Sequence, residues 1–343
     1  MEEILLFVDY KGSFGSKFNS TPPYSGIDLS LFSIEMEKVG LKLITSSFTD
    51  VNFSKPNLYK SKKIIYQSSE ANDSGGEYKS FIDDVLYFLK LSGAILIPKY
   101  RFFKAHSNKV FMEMLRSIYN LDDNKTIVLG SKEDFSSKKT NYEYPLVIKK
   151  SHGAQSKGVF KANNKKQLIK LIKKTSRSRH SFKEEFKELL RERKYKNYIK
   201  FSKHRNKFII QPMIDELDCD YKVLIFNDIF FIVKRETPPN DFRASGGGYN
   251  SFTGNFDLPE GLISFADDIF QIFQVPYVSL DIAINSRGFH LIEYQVINFG
   301  TSGHFKSKKC YVKKENKYHL KDNNYTIEHL YAHSLSNYLK TLK

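Results

Sequence analysis

The chain has 343 residues, of which 41% are hydrophobic and 15% aromatic, and its formal net charge is +16. This length is enough for two or three domains with buried cores. Only two cysteines are present, Cys219 and Cys310, which excludes a disulfide framework or a cysteine zinc cluster and indicates a reducing compartment. The start lacks the features of a signal peptide, and no segment approaches the ~18 apolar residues of a membrane span. We therefore expect a cytoplasmic protein with no membrane partner.

The positive charge is concentrated in residues 165–207, which contain 17 Lys and Arg residues against four Glu. One interpretation is a solvated helical face followed by a basic loop. The other is a landing site for an acidic partner, such as an acidic peptide, a polyanionic glycan or nucleic acid. Because no signature of a nucleic-acid-binding module is present, the sequence disfavours nucleic acid.

The first third of the chain alternates between strand and helix patterns. Strands are predicted at residues 4–8, 41–45, 63–66 and 94–98, and helices at residues 28–39 and 78–91. Such alternation predicts a mostly parallel sheet covered by helices. Ligands of these sheets bind beyond the carboxyl ends of the strands, so the polar loop 11–24 is a candidate substrate loop, with a plain flexible loop as the alternative.

The middle of the chain begins with an amphipathic helix at 107–119, for which the spacing predicts an inward face. That face consists of Val110, Phe111, Met114, Leu115 and Ile118. The polar run 132–140 is predicted to be a linker. A strand at 145–150, a loop of small residues at 151–157, a returning strand at 158–161 and a helix at 164–173 follow.

From residue 208 the chain is rich in strands, predicted at 208–212, 221–226 and 229–235, with helices at 262–273 and 326–339. Residues 278–284 and 289–295 form a predicted hairpin around the turn Asn-Ser-Arg-Gly. This hairpin brings Asp281 close to Glu293 and places Gln295 on the same face as Glu293. Two carboxylates and an amide oxygen suit Mg²⁺, although such a pair also often simply binds Lys and Arg.

Two further segments carry the chemistry of a nucleotide site. In PLVIKKSHGAQSKGVF (145–160), a strand ending in Lys149 leads into small residues, which let backbone N–H groups approach phosphates. The segment is not a Walker loop, and an ordinary hairpin with a flexible tip is the alternative. In the apolar strand 208–212, Gln211 can hydrogen-bond an adenine edge, and a buried edge strand is the alternative.

The order of these pieces resembles the ATP-grasp superfamily over residues 109–303, and most closely the ribosomal-protein glutamate ligases and glutathione synthetases. The resemblance implies an α/β (α+β) ATP-grasp fold with a parallel pre-ATP-grasp domain at 1–105 and a connecting helix and linker at 106–140. It implies a small lid subdomain with the basic insertion at 141–214, and a larger antiparallel-sheet subdomain with the metal site at 215–343. In such enzymes ATP lies between these last two subdomains.

Residue by residue, the resemblance implies roles in catalysis for Arg235, Arg243 and Lys149. The implied metal ligands are Asp281, Glu293 and Gln295, where Gln295 replaces the usual Asn and Asn298 lies close by. The family's N-x-S-P-G tail is altered here to INFGTSG. The implied nucleotide-binding residues are Lys109, Lys149, Ser151, Gly153, Ser156, Gly158, Gln211, Ile214 and Lys222.

The resemblance also implies ATP and Mg²⁺ as cofactors, with Mn²⁺ as a substitute, and an ATP-dependent carboxylate–amine ligase. Such an enzyme forms an amide through an acyl phosphate and releases ADP and phosphate. Its partners are a carboxylate donor and an amine acceptor, and the basic segment is compatible with an acidic or polyanionic acceptor. A homo-oligomer is also compatible with the sequence. The alternatives are a phosphotransferase acting on a small molecule or glycan, and an ATP-binding protein without catalysis.

Overall fold

The structure is a computed structural model that describes residues 1–15, 26–67, 77–121, 125–137, 142–153, 158–178, 181–215, 217–239, 241–243 and 249–342. The chain divides into two compact units. The first comprises Met1–His106 together with Glu216–Lys343, and the second comprises Ser107–Asp215. Ser156 and the glycines Gly246–Gly248 lie outside the described residues, as does most of the candidate substrate loop.

The N-terminal part of the first unit is a four-stranded parallel sheet in the order β2-β1-β3-β4, as the sequence predicts. Two short 3-10 turns, Phe48–Asp50 and Pro56–Tyr59, lie between its second and third strands. Its elements are β1 Glu2–Val8, α1 Leu29–Lys38, β2 Leu41–Ser47, β3 Lys63–Tyr66, α2 Glu77–Leu91, β4 Ile95–Ile97 and α3 Tyr100–Ala105.

The second unit is a four-stranded antiparallel sheet in the order β5-β8-β6-β7, with α6 on one face. Leu146, Ile148 and Ile210 of the sheet are buried with Leu168 and Ile172 of α6. Its elements are α4 Lys109–Ile118, β5 Ile127–Leu129, α5 Lys132–Ser137, β6 Leu146–Lys150, β7 Val159–Ala162, α6 Lys165–Ser176, α7 Phe182–Lys194 and β8 Phe208–Pro212.

The C-terminal part of the first unit is an antiparallel sheet in the order β13-β12-β9-β10-β14-β15, with β11 paired to β10. Its elements are β9 Cys219–Phe226, β10 Ile229–Glu236, β11 Asn250–Phe252, α8 Leu262–Phe273, β12 Tyr277–Asn285, β13 Gly288–Gln295, α9 Ser302–Lys306, β14 Lys309–Lys314, β15 Lys317–Asp322 and α10 Ile327–Lys340. None of the helices formed by the described residues is long and apolar enough to cross a membrane.

One hydrophobic core joins the two parts of the first unit. Ile4 of β1 and Phe32 of α1 are buried in the same cluster as Phe226 of β9 and Tyr331 of α10. The rings of Phe226 and Tyr331 meet edge to face with their centroids 5.5 Å apart. This packing fixes β9 and therefore the strands β10 and β12 on either side of it.

The predicted inward face of the first helix in the second unit is right for Val110 and Leu115, which are buried, and wrong for Met114 and Ile118. Met114 is 46% exposed and Ile118 67% exposed, whereas Glu113 and Arg116 are buried. The reason is a buried ion pair, because Arg116 Nη1 lies 3.2 Å from Glu113 Oε1 and Thr126 also donates to Glu113. The helix therefore buries an ion pair that the apolar spacing does not predict.

The predicted linker at 132–140 is also wrong, because Lys132–Ser137 forms α5. Ser131 and Asp134 cap each other at its start, with the Ser131 amide donating to Asp134 at 2.7 Å and the Asp134 amide donating to Ser131 Oγ at 3.1 Å. This reciprocal capping stabilises a helix that is too polar to show an apolar period.

Candidate functional site

Lys149 and Gln211 lie on the sheet face of the second unit opposite α6. Val147 pairs with Gln211 and Lys149 pairs with Ile209, so all four side chains leave the sheet on the same side. Lys149 is 8% exposed and Gln211 4% exposed. The Gln211 Oε1 atom is buried and accepts no hydrogen bond from the described residues, which leaves it available to a ligand donor.

The start of α4 is tied to the loop after β6. The Lys109 amide donates to the Ser151 carbonyl at 2.9 Å, and Ser151 Oγ donates to the Asn108 side chain at 2.9 Å. Lys109 Nζ donates to the Gly153 carbonyl at 3.2 Å. Gly153 has a φ of +136°, a conformation that side chains other than glycine rarely adopt. The contacts bring together the candidate nucleotide residues Lys109, Ser151 and Gly153.

Gly158 and Ile214 have clear packing roles in the same unit. A Cβ atom on Gly158 would lie 3.0 Å from the Lys150 Cβ, and the Gly158 carbonyl accepts from the Lys150 amide at 2.9 Å. Ile214 is 8% exposed and follows β8. These observations explain why a small residue and an apolar residue occur at the two positions.

In the first unit, the predicted carboxylate hairpin is formed by β12 and β13. Asp281 is directly opposite Glu293, and Ser279 is opposite Gln295, so these four side chains share one face. The register shifts between Asp281 and Ile282, where the strand carries a bulge. Asp281, Glu293 and Gln295 are all partly accessible.

Cationic side chains from β9 and β10 meet this hairpin on the same face. Asp281 is opposite Lys222, and Asp220 is opposite Arg235. Arg235 donates to both oxygens of Asp220, at 2.5 and 2.8 Å, and its Nη2 lies 3.0 Å from Asp281 Oδ2. Lys222 Nζ lies 3.4 Å from Asp281 Oδ1. The guanidinium of Arg235 therefore links two carboxylates.

The two aspartates have pKa values that move in opposite directions. Burial raises the pKa of Asp220 to about 6, and the negative charge of Asp281 adds to this effect against the influence of Arg235. Burial acts in the same direction on Asp281, but Arg235 and Lys222 together lower its pKa to about 2. The two carboxylates thus differ in how readily they take up a proton.

We expect Asp220 to make the stability of the chain depend on pH between 4 and 6. Its folded-state pKa is raised above the ordinary 3.8, so its stabilising contribution is present below about pH 4 and lost as the pH rises to about 6. The free energy of unfolding should fall over this window relative to that of Asp220→Asn. Urea unfolding of both proteins at pH 4, 5 and 6 measures this, and parallel pH profiles would contradict it.

Arg243 has a different environment from Arg235. It binds Asp241 through Nε at 2.9 Å and Nη2 at 2.7 Å, and its side chain is 35% exposed. Its guanidinium lowers the pKa of Asp241. This local pair is the alternative to a role of Arg243 in catalysis. Arg235 does not bind the adjacent Glu236 and instead joins the carboxylates of Asp220 on β9 and Asp281 on β12.

The oxygen atoms around the hairpin suit a hard divalent cation. Glu293 and Gln295 offer a carboxylate and an amide oxygen on the same face as Asp281. Both oxygens of Asp281 are in contact with cationic side chains, so a metal ion would compete with Arg235 and Lys222 for them. Within the described ranges, no three His, Cys, Asp or Glu side chains are grouped to hold a metal, so an amide oxygen is needed to complete the set.

Three residues of these sites were not predicted from the sequence as functional. Asp220 lies just before the predicted strand 221–226 and has no predicted role, but it is 3% exposed and binds Arg235. Ser279 is 1% exposed, and its Oγ has no hydrogen-bond partner in the described part of the chain. Asn108 precedes a helix, which is the usual signal for an N-cap, but its contact with Ser151 spans 43 residues.

No protein-family model matches the chain, and no curated protein does so either. Several solved structures match the chain. The VanG D-Ala:D-Ser ligase of Enterococcus faecalis matches with a TM-score of 0.53 at 14% identity, over 98% of this chain and 99% of that one. An ATP-grasp ligase of Chryseobacterium gregarium associated with ribosomally synthesised peptides, bound to ADP and to leader and core peptides, has a TM-score of 0.50 at 12% identity, over 100% and 98%.

A RimK-domain ATP-grasp protein of Sphaerobacter thermophilus also matches, with a TM-score of 0.50 at 8% identity, over 98% of this chain and 99% of that one. These proteins share one fold with the chain over nearly its whole length. Together with the parallel sheet and the two antiparallel sheets, they show that the chain has the ATP-grasp fold.

Proposed function

We propose that the chain is an ATP-dependent carboxylate–amine ligase. The observation that supports this most directly is the group on the β13-β12-β9-β10 face, where Arg235 joins Asp220 and Asp281 beside Glu293 and Gln295. Cations and carboxylates at this density in a half-buried site are typical of functional sites, and the ATP-grasp fold provides the chemical context.

In the second unit, Gln211 and Ile214 would contact adenine. The buried Gln211 Oε1, which no described residue binds, can accept a hydrogen bond from the exocyclic amine of the base. Lys149, Lys109 and the backbone of Ser151, Gly153 and Gly158 would then bind phosphate oxygens. We assign Ser156 to the same loop by sequence alone. The unit spans the proposed connecting segment 106–140 and lid subdomain 141–214 almost completely.

In the first unit, Asp281, Glu293 and Gln295 would hold Mg²⁺, with Mn²⁺ as a substitute. The ion would supply charge neutralisation at the phosphate oxygens during transfer. Lys222 would release Asp281 and turn to the phosphates. Arg235 would keep Asp220 charged and, with Arg243, stabilise negative charge on the phosphoryl group.

The chemistry needs cations because both reactants of the first step are anions. An oxygen of the substrate carboxylate attacks the γ-phosphorus, the bond to the β–γ bridging oxygen breaks, and ADP leaves with the electron pair. The amine nitrogen then attacks the acyl carbon, phosphate leaves and the nitrogen loses a proton. Residues that exclude water protect the acyl phosphate from hydrolysis.

We expect Lys149→Ala to lower the rate of ADP formation by about 10²–10³-fold, because loss of a cation at developing negative charge costs about 3–4 kcal/mol. Lys150→Ala is the matched control, since Lys150 is the next residue but is exposed and faces the other side of β6. It should retain near-normal turnover. A coupled assay for ADP tests both variants, and equal losses would contradict the assignment of Lys149.

Assays of ADP release can also reveal two alternative functions of the chain. A phosphotransferase would release ADP with one hydroxyl or amide acceptor and would need no amine. A catalytically silent protein would bind ATP, with a rise in melting temperature, but would release no ADP with any acceptor pool. Assays in which the acid pool and the amine pool are omitted in turn distinguish these activities from ligation.

A further inference from the structure

The second unit contains a large cavity that the proposed chemistry does not use. It is open to solvent and is lined by the start of α5, the end of α6, part of α7 and residues 200–205. Its volume is about 900 Å³. Ligand sites of ~300–1,000 Å³ accommodate drug-sized molecules, so a peptide segment of several residues fits here.

Positive charge predominates around this cavity. Seven Lys or Arg residues line it against four Glu. Glu188 is already satisfied, because Arg191 binds it at 2.7 Å, the Tyr198 hydroxyl donates to it at 2.8 and 2.9 Å, and the Phe201 amide donates at 3.0 Å.

Three of the lining cations have no ion-pair partner among the described residues. No carboxylate of the described residues forms an ion pair with Lys173, Lys187 or Lys203. These lysines come from the end of α6, from the middle of α7 and from the segment after α7, so they surround the cavity. The lining thus presents unused positive charge from several directions.

The cavity also has apolar contact surface. Leu189, which is 49% exposed, and Phe201, which is 65% exposed, both line it. Exposed apolar side chains beside unpaired charge are typical of a surface that binds another molecule. The occupant should therefore carry acidic and apolar groups together.

An acidic peptide matches this lining better than nucleic acid or a membrane. The four glutamates of the lining would repel any anion, but the phosphates of a nucleic acid are regularly spaced and cannot avoid them. A flat bilayer cannot enter a concave site. A peptide can place its carboxylates against the lysines and its apolar side chains against Leu189 and Phe201.

We propose that this cavity docks an acidic peptide segment with interspersed apolar side chains. The proposal goes beyond the ligase reaction, because it concerns binding alone and needs no ATP. We take one further step and infer that the docked segment belongs to the substrate that is ligated. This step rests on the proposed function.

The test uses fluorescence anisotropy with a fluorescein-labelled peptide of alternating Glu-Glu-Phe and Glu-Glu-Leu units, without nucleotide. The triple variant Lys173→Glu/Lys187→Glu/Lys203→Glu should weaken binding at least about tenfold. The matched control is Lys165→Glu/Lys166→Glu/Lys170→Glu, which changes the net charge equally on exposed positions of α6 outside the cavity. It should change the Kd less than about twofold. Circular dichroism and thermal melting show whether each variant is folded. If a triple variant does not fold, the single variant Lys187→Glu is used in its place.

The apolar half of the proposal has its own pair of variants. Leu189→Ser/Phe201→Ser should weaken binding about fivefold or more, because the apolar side chains lose their contacts. Phe182→Ser/Phe186→Ser should leave it unchanged, since these exposed residues of α7 do not line the cavity. The proposal is overturned by absent binding of the peptide, by equal weakening in both charge variants, or by a single-stranded oligonucleotide or anionic vesicles displacing the peptide with greater affinity. ATP turnover is not measured, so failure of the proposed function would leave this test intact.

Discussion

Arg235→Gln should destabilise the chain by roughly 3–5 kcal/mol, because it leaves the carboxylates of Asp220 and Asp281 close together without their shared cation. The guanidinium makes three contacts in this group, and its side chain is only 14% exposed. The same substitution should abolish ADP formation, since the charge that faces the proposed phosphoryl group is removed.

Arg243→Gln is the matched control for this prediction. Its pair with Asp241 is one-third exposed and local in sequence, so its loss should cost at most about 1 kcal/mol. The double variant Arg235→Gln/Asp220→Asn should recover much of the lost stability, because one of the two uncompensated charges is then removed. Urea unfolding of the four proteins measures these differences. Equal destabilisation by Arg235→Gln and Arg243→Gln would show that Arg235 does not hold the carboxylates together.

Glu293→Gln should lower the rate of ADP formation at least about 10²-fold while leaving the fold intact. The substitution keeps the shape and one side-chain oxygen but removes the charge, and metal-assisted charge stabilisation contributes several kcal/mol to transfer. Glu293 lies opposite Asp281 at the centre of the proposed metal site. The stabilisation of the protein by Mg²⁺ with ADP, measured as a shift of melting temperature, should also be lost.

Glu260→Gln provides the comparison for Glu293→Gln. Glu260 is an exposed acidic residue of the same unit, before α8, so its substitution removes the same charge away from the hairpin. It should keep normal turnover and the normal ligand-induced shift. If Glu293→Gln also keeps normal turnover, Glu293 is not part of the catalytic site.

Local patterns were sufficient for most of the fold. The parallel strands β1 to β4 are short apolar runs between helical patterns, and the β12–β13 hairpin is marked by the turn Asn285–Gly288, so both were predicted from the sequence. The strands β14 and β15 were missed because Lys309–Lys314 and Lys317–Asp322 are rich in exposed charged residues and lack a strict apolar alternation.

The residues that were misread depend on polar partners that a local apolar period does not encode. Arg116 is buried only because Glu113, Thr126 and the Leu121 carbonyl surround it, and no helical period contains that information. Asp220 becomes part of the site through the register of β9 against β10, which places it opposite Arg235. Sequence identified the chemistry of the individual side chains, whereas the strand register determined which of them meet.

The most direct test of the proposed ligase is ADP release with ATP and Mg²⁺, measured while pools of carboxylic acids and of amines are supplied together and then separately. We predict ADP release that requires both pools, and a product whose mass equals that of the acid and the amine less one water. ADP release with a single acceptor, accompanied by a product that has gained one phosphoryl group, would contradict the ligase.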